Sequence, residues 1–363
     1  MGPAMGRTML RGRLPHLVCA VLAAPVLASC SSPVTPTTPA VSPSPSPTTD
    51  DPIIATDLEA PWSIVFYRGT ALVSERDAGR IVEIGANRAV REVGRIEAAE
   101  AGGEGGLLGL TVHDSWLYAY YTTADDNRVE RFELRGDPGS LSLGPGQVIL
   151  DGLPSARNHN GGRIAFGPDQ LLYVTVGDAG DRASAQDLDV LSGKILRLTP
   201  EGAVPADNPF SGSPVYSYGH RNPQGLAWDQ QGTLYATEFG QDTWDELNVI
   251  EPGGNYGWPQ VEGIAGGGGF IDPVQQWPPS EASPSGMTRA DGTLYIANLR
   301  GERLREVPLS DPTVFSERFV DEPIGRLRDV ALAPDGSLWV LTNNTDGRGS
   351  PNPGDDHILR IRP

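Results

Sequence analysis

The chain holds only two cysteines in 363 residues, Cys19 and Cys30. Cys19 lies in a segment that reads as a removable leader, so one cysteine is left to the mature protein, which excludes an intrachain disulfide and a cysteine-ligated metal cluster. Basic residues are scarce as well. The 28 Lys and Arg stand against 46 Asp and Glu, for a formal net charge of −18 and a pI near 4.6. A generic basic surface for nucleic acid is missing, and no nucleic-acid partner is expected. No segment is apolar over the length of a bilayer span, and none carries a sustained helical period of apolar residues. What the chain has in quantity is glycine, 45 residues, and proline, 33. Both interrupt helix interiors, so they argue against a helical bundle and predict a β-rich, loop-rich protein with a single large core.

The N-terminus reads as an export segment. Arg7, Arg11 and Arg13 precede the apolar run 17–28, which is too short to cross a bilayer but has the length of a signal-peptide core. That run closes on Leu27-Ala28-Ser29-Cys30, which resembles a bacterial lipobox, where small residues precede a cysteine that becomes the lipidated N-terminus. A tract rich in Ser, Pro and Thr follows to residue 51 and has the composition of a disordered tether. The predicted organisation is a signal peptide over 1–29, a lipid-bearing Cys30 and tether over 30–52, and a folded domain over 53–363. The protein is expected outside the cell membrane, attached to it by lipid.

From residue 51 onward one phrase recurs: an apolar strand, a short polar turn often written Asp-Gly, and a second strand opening on Leu-Tyr or a near equivalent. Its anchors are Leu72, Leu117, Leu172, Leu234, Leu294 and Leu338, spaced 44 to 62 residues apart. The clearest copies, 163–176, 225–237, 286–297 and 329–341, each predict two strands around a tight turn. Further strands are expected at 194–198, 246–250, 304–307 and 357–361. Six copies at this spacing, with room for four strands each, predict an all-β, six-bladed β-propeller. Stacked β-sandwiches are the competing architecture, but they leave the sixfold recurrence unexplained.

In a propeller, the connection into each first strand and the connection after each second strand open on the same face. Before first strands stand Glu104, Asn158-His159-Asn160, His220-Arg221-Asn222, and the pair Arg326 and Arg328. After second strands stand Asp178, Gly240-Gln241-Asp242 and Arg300. The residues most capable of chemistry therefore converge on one rim. Arg221, Arg300, Arg326 and Arg328 would repel one another over a shared channel unless an anion sat among them, and guanidinium forks suit a flat polycarboxylate or a phosphate. His159 has the chemistry of a general base that Asp178 could orient. The segment 237–256 offers Gly240, Gln241, Asp242, Asp245, Glu246 and Asn255 on tight turns, hard oxygen donors that favour calcium over a transition metal. Loop arginines that only solvate a face, and a histidine that is only structural, are the plainer readings of the same residues.

The stretches GGEGGLLGL (102–110), NHNGGRIAFGPDQLLYVTVGD (158–178), YGHRNPQGLAWD (218–229), DELNVIEPGGNYGWP (245–259) and GRLRDVALAPDGSLWVLT (325–342) resemble, in order and spacing, the soluble pyrroloquinoline-quinone-dependent glucose/sorbosone and aldose sugar dehydrogenases. The resemblance covers nearly all of the mature chain and implies a six-bladed propeller. It implies that His159 is the base for the sugar's anomeric hydroxyl and that Asp178 orients it. By the same resemblance Arg221 and Asn222 polarise the quinone, Arg326 and Arg328 hold its carboxylates, and Glu104 lies beside it. The carbonyls of Gly240 and Gln241 would ligate a calcium ion bound with the quinone, and Glu246 with the Tyr256 carbonyl a second, structural calcium. Arg300 stands where a well-studied branch has Lys, and Asn158 where it has Asp; Arg for Lys keeps the charge but alters reach and geometry. Long insertions associated with dimer contacts are missing, which implies a monomer.

These readings predict a quinoprotein that oxidises an aldose, a small-molecule sugar, to its lactone; they leave the electron acceptor unnamed. A calcium-dependent propeller lactonase or other hydrolase, and a non-catalytic surface-binding propeller, are the alternatives the same rim allows.

Overall fold

Each copy of the repeated phrase folds into one sheet of four antiparallel strands, and six such sheets make up the computed structural model, which describes residues 52–85 and 87–363. Residues 1–51, where a leader, a lipid-bearing Cys30 and a tether are expected, lie outside the described residues. Blade 1 runs from Pro61–Tyr67 to Val90–Arg95, blade 2 from Leu107–His113 to Ser142–Leu153, and blade 3 from Ile164–Phe166 to Val215–Tyr218. Blade 4 runs from Pro223–Trp228 to Gln275–Trp277, and blade 5 from Pro284–Ala290 to Ser316–Arg318. Blade 6 is assembled from both ends of the domain. Its strands Leu327–Leu332, Leu338–Thr342 and Ile358–Ile361 are completed by Ile53–Ala55, with Ile53 opposite Leu359 and Ala55 opposite Ile358. The ring is thus closed by backbone hydrogen bonds between the first and last strands, a closure that three residues are too few to announce. The architecture is the expected all-β, six-bladed β-propeller. A 3-10 turn at Arg182–Gln186 is the one helical element among the described residues.

All six anchor leucines lie in second strands and none is more than 3% exposed. Both faces of a blade are covered by its neighbours, so second strands read as near-continuous apolar runs and not as clean alternation. Tyr118 and Val129 of blade 2 pack with Leu172 and Val174 of blade 3, and Leu341 and Ile358 of blade 6 pack with Val73 of blade 1. Fourth strands lie at the periphery; that of blade 5, Ser316–Arg318, has no buried residue. First strands meet at the axis. There Arg163, ahead of blade 3, bonds Asp329 of blade 6 at 2.9 Å, Ser63 of blade 1 at 3.2 Å and the Gln224 carbonyl of blade 4 at 2.9 Å.

Candidate active site

Glycine brings His159 and Asp178 together. The loop entering blade 3 lies against the exit of that blade's second strand so closely that a Cβ on Gly177 would stand 2.0 Å from the His159 carbonyl. His159 itself has a φ of 59°, a left-handed conformation that a non-glycine residue keeps only when its surroundings impose it. Glu104 Oε2 accepts the His159 N–H at 2.8 Å, and the His159 carbonyl accepts the Ala179 N–H at 3.2 Å. The imidazole Nδ1 then lies 2.7 Å from Asp178 Oδ1. Asp178 also accepts the Gly180 N–H on Oδ1 at 2.8 Å and the Trp258 indole N–H on Oδ2 at 2.9 Å. Burial pushes this carboxyl up, but the three donors outweigh burial and hold it below the ordinary carboxylate range. An ionised carboxylate only accepts, so Nδ1 carries a hydrogen, and in the neutral ring Nε2 carries the lone pair. Nε2 makes no hydrogen bond to a described residue, and the side chain keeps 14% of its surface exposed where Asp178 keeps none.

Beside this pair is a narrow cavity whose lining includes Trp62, Arg76, Glu104, Gln224, Arg326 and Arg328. The Arg328 guanidinium stands 4.3 Å from the centre of the Trp62 ring, and Arg163 does the same. Arg328 Nη2 donates to Gln224 Oε1 at 3.0 Å and Arg326 Nη2 to Asp346 Oδ2 at 3.2 Å. Asn222 Oδ1 accepts the Gly161 N–H at 3.0 Å and Gln224 Nε2 at 3.1 Å. Arg221 donates its backbone N–H to Glu238 and Nη1 to the Phe239 carbonyl at 3.1 Å. Burial lowers the affinity of Arg221 for its proton, and burial together with Arg163 and Arg76 does so more strongly for Arg328. Among the described residues, four buried donors of this rim nevertheless have no partner, Arg221 Nε, Asn222 Nδ2, Arg326 Nε and Arg328 Nε, and the same holds for Nη2 of Arg163 at the axis. Buried donors left this way are costly, and their grouping on one rim fits a bound, oxygen-rich anion.

The loop after blade 4's second strand is built around a carboxylate. Glu262 Oε1 accepts the N–H groups of Gln241, Asp242, Thr243 and Trp244 at 2.6 to 3.2 Å, while the Gly240 N–H goes to Asp245 Oδ1 at 2.8 Å. The carbonyl oxygens of Gly240 and Gln241 accept no backbone hydrogen bond from a described residue, and beside them the loop carries the exposed Asp242 carboxylate. Glu246 faces Glu238 across the sheet, and burial followed by the Glu238 charge pushes its carboxyl far above the ordinary range. Burial raises Asp245 to about 6 despite N–H donors from Ser283 and Gly240. The Tyr256 hydroxyl is occupied by the Val249 carbonyl at 2.6 Å, so only its backbone oxygen is free for a metal. Among the described residues no group of three or more His, Cys, Asp or Glu side chains is placed to hold a metal ion. A cation here would therefore depend on backbone carbonyls, as hard ions such as calcium accept.

Residues 58–359 match the family model described as glucose/sorbosone dehydrogenase. The chain belongs to that family. It is 48% identical to the aldose sugar dehydrogenase of Streptomyces coelicolor, whose structure was solved in a PQQ-bound form, with a TM-score of 0.81 over 85% of this chain and 95% of that one. It is 33% identical to aldose sugar dehydrogenase YliI of Escherichia coli, over 68% of this chain and 76% of the relative. Identity to quinoprotein glucose dehydrogenase B of Acinetobacter calcoaceticus is 32%, over 61% of this chain and 54% of the relative.

Of the four arginines expected over the channel of this family member, Arg326 and Arg328 line the cavity and Arg221 stands over the Trp258 ring at 5.5 Å. Arg300 is exposed on the turn after blade 5's second strand, where Leu299 and not Arg300 borders the cavity. Asn158 is exposed, and its neighbour Asn160 is buried and bonded to Asn127 and the Ala156 carbonyl. Sequence reading passed over Arg76, Asp346 and Arg348. Arg76 follows blade 1's second strand, and Asp346 and Arg348 follow blade 6's, the position Asp178 holds in blade 3; the rim rule points to them once applied to every blade. Arg348 bonds Glu104 at 2.8 Å, and this pair with the His159 N–H outweighs burial to hold the Glu104 carboxyl below its ordinary range.

Proposed function

We propose that this chain is a calcium-assisted, pyrroloquinoline-quinone-dependent aldose dehydrogenase that oxidises a sugar at its anomeric carbon to a lactone. The observation that carries the reading is the meeting of a histidine–aspartate pair having one unspent ring nitrogen with four unpartnered buried donors on the same rim. Arg326, Arg328, Arg221 and Asn222 would hold the quinone, and Glu104 and Arg76 border the same cavity. The Gly240 and Gln241 carbonyls would ligate a calcium ion at the cofactor, and Glu246 with the Tyr256 carbonyl a structural one. When bound, the quinone and its calcium supply a two-electron acceptor for the hydride of the anomeric carbon. His159 Nε2 takes the proton of the anomeric hydroxyl, and Asp178 stabilises the imidazolium that results. Supporting this reading are the family match and the PQQ-bound form of the Streptomyces relative.

Purified protein mixed with Ca²⁺ and pyrroloquinoline quinone, then assayed against a sugar panel with a dye acceptor, tests the proposal. Sugar-dependent dye reduction that needs the quinone is the expected result. Lactone hydrolysis without quinone, or no binding of the quinone at all, overturns it.

The same reading sets the enzyme outside the membrane, tethered through a lipid on Cys30. Cys30→Ala should leave the protein unlipidated and move it from the membrane fraction to the soluble one. Equal detergent partitioning of mutant and wild type, with no lipid on Cys30 by mass spectrometry, would remove the anchor.

A further inference from the structure

Trp258 lies in the stretch 245–259, and none of the roles assigned above uses it. Its ring is buried and its indole N–H reaches Asp178 Oδ2 at 2.9 Å. Both oxygens of Asp178 are therefore engaged, Oδ1 by His159 and Gly180 and Oδ2 by Trp258. A carboxylate held through one oxygen can turn about its own axis and let an attached imidazole swing; a donor on the second oxygen stops that rotation.

Trp258 is itself tied down. Its backbone N–H donates to the Gly219 carbonyl at 3.0 Å, and its backbone carbonyl accepts Gln186 Nε2 at 2.7 Å. Gln186 and Asn255 exchange amide hydrogen bonds at 2.8 and 2.9 Å. Gln186 closes the turn Arg182–Gln186, and the Ser184 and Ala185 carbonyls of that turn accept Lys194 Nζ at 2.8 and 3.1 Å. Lys194 is the chain's single lysine and is fully buried. A continuous set of bonds thus runs from a buried cation through the turn and Trp258 to Asp178. The guanidinium groups of Arg182 and Arg221 stand 5.4 and 5.5 Å from the indole centre.

We propose that Trp258 is a positioning residue of the reaction: its indole N–H locks the Asp178 carboxylate and so aims His159 Nε2 at the substrate hydroxyl. This rests on the dehydrogenase reading for the identity of the substrate, but the lock itself belongs to the apoprotein. Because the indole donates to the charged carboxylate, losing it strengthens the hold of the His159–Asp178 dyad on a proton. The other charged groups facing the dyad are Glu104 from the loop into blade 2, Arg221 from the loop into blade 4, and Arg182 across the indole. All three are left in place by the test.

Two variants serve: Trp258→Phe, and 3-benzothienylalanine at position 258, which keeps the shape of the indole and replaces N–H by sulfur. The first readout needs no cofactor. In apoprotein, ring-nitrogen NMR of His159 should show the dyad's titration midpoint raised by about half a unit or more in both variants. In reconstituted enzyme kcat should fall about tenfold with KM within about twofold, and neither variant should add to the loss caused by Asp178→Asn. An unchanged midpoint in the benzothienyl variant, or kcat losses that add to those of Asp178→Asn, would overturn the lock. Absence of sugar oxidation by the wild type would overturn the dehydrogenase reading instead, and the apoprotein titration would still decide the role of Trp258.

Discussion

Just ahead of the first strands of blades 3 and 4 the chain places a histidine, His159 in one and His220 in the other, and in each case a carboxylate from the second-strand side meets it. The two Nδ1-to-carboxylate distances are nearly equal, 2.7 Å to Asp178 and 2.8 Å to Glu238. Beyond the pair itself they diverge. His220 has no exposed surface, its Nε2 is engaged by Ser217 Oγ at 2.9 Å, and its ring is stacked on Tyr256 at 4.7 Å. His159 keeps its Nε2 open and is held at a left-handed φ. A histidine–carboxylate pair is therefore not a base by virtue of the pair; it becomes one when the far nitrogen is left unspent at a surface a substrate can reach. Glu238 spends its other oxygen on the Arg221 N–H, so the His220 pair holds the backbone that presents Arg221 and Asn222.

The widest separation between the two histidines is expected in turnover. His159→Gln should lower kcat by about 10²-fold or more at fixed cofactor occupancy, the scale of a general base, with Tm near wild type. Stopped-flow absorbance of the quinone checks this, and rates within about threefold of wild type would place His159 with His220 as a structural residue. Next in size is the proposed quinone site. Arg326→Ala combined with Arg328→Ala should weaken quinone affinity about hundredfold or more, because two charge-assisted contacts in a desolvated site are lost. Unchanged affinity in a titration would return both arginines to a role in the channel wall.

His220→Gln should do the opposite of His159→Gln. Its cost is expected in stability, about 1–3 kcal/mol for a broken buried hydrogen-bond pair, while loaded enzyme turns over within a few fold of wild type. Thermal denaturation beside kcat measures both, and a kcat loss matching that of His159→Gln would erase the distinction. The smallest effect concerns acid. Asp178 is held below the ordinary carboxylate range, so its bonds stabilise the fold above about pH 4 and are lost as pH falls through the depressed native value. Asp178→Asn should accordingly show a smaller fall in Tm between neutral and strongly acidic solution than wild type; an identical fall would mean that the carboxylate contributes nothing to acid stability.

Much of the fold was legible because it is written locally. Anchors such as Leu172 and Leu234, each a few residues after a polar turn, specify hairpins whatever surrounds them, since alternation and turn chemistry act over a handful of residues. The site was legible only where an unusual residue sat at a repeat boundary, as with His159, Asp178 and Arg221. Trp62 and Gln224 sit inside first strands and look like ordinary strand residues, and Glu104 and Arg348 meet across 244 positions of sequence. Nothing short-range marks those partnerships.

By itself, then, the amino-acid sequence determined the blades, their number, and which rim would carry the polar residues, because strand alternation and tight turns are properties of neighbouring residues. Tertiary structure alone decided that Ile53–Ala55 closes blade 6, that Glu262 organises the loop beside Gly240, and that His159 is free where His220 is not. Those outcomes depend on which groups burial leaves without water and which partners ring closure delivers to them. Both are set by contacts between separate elements, 21 positions apart at Glu262 and Gln241 and at opposite ends of the domain in blade 6, where a hydrogen bond is strong only because the surrounding packing excludes its competitor.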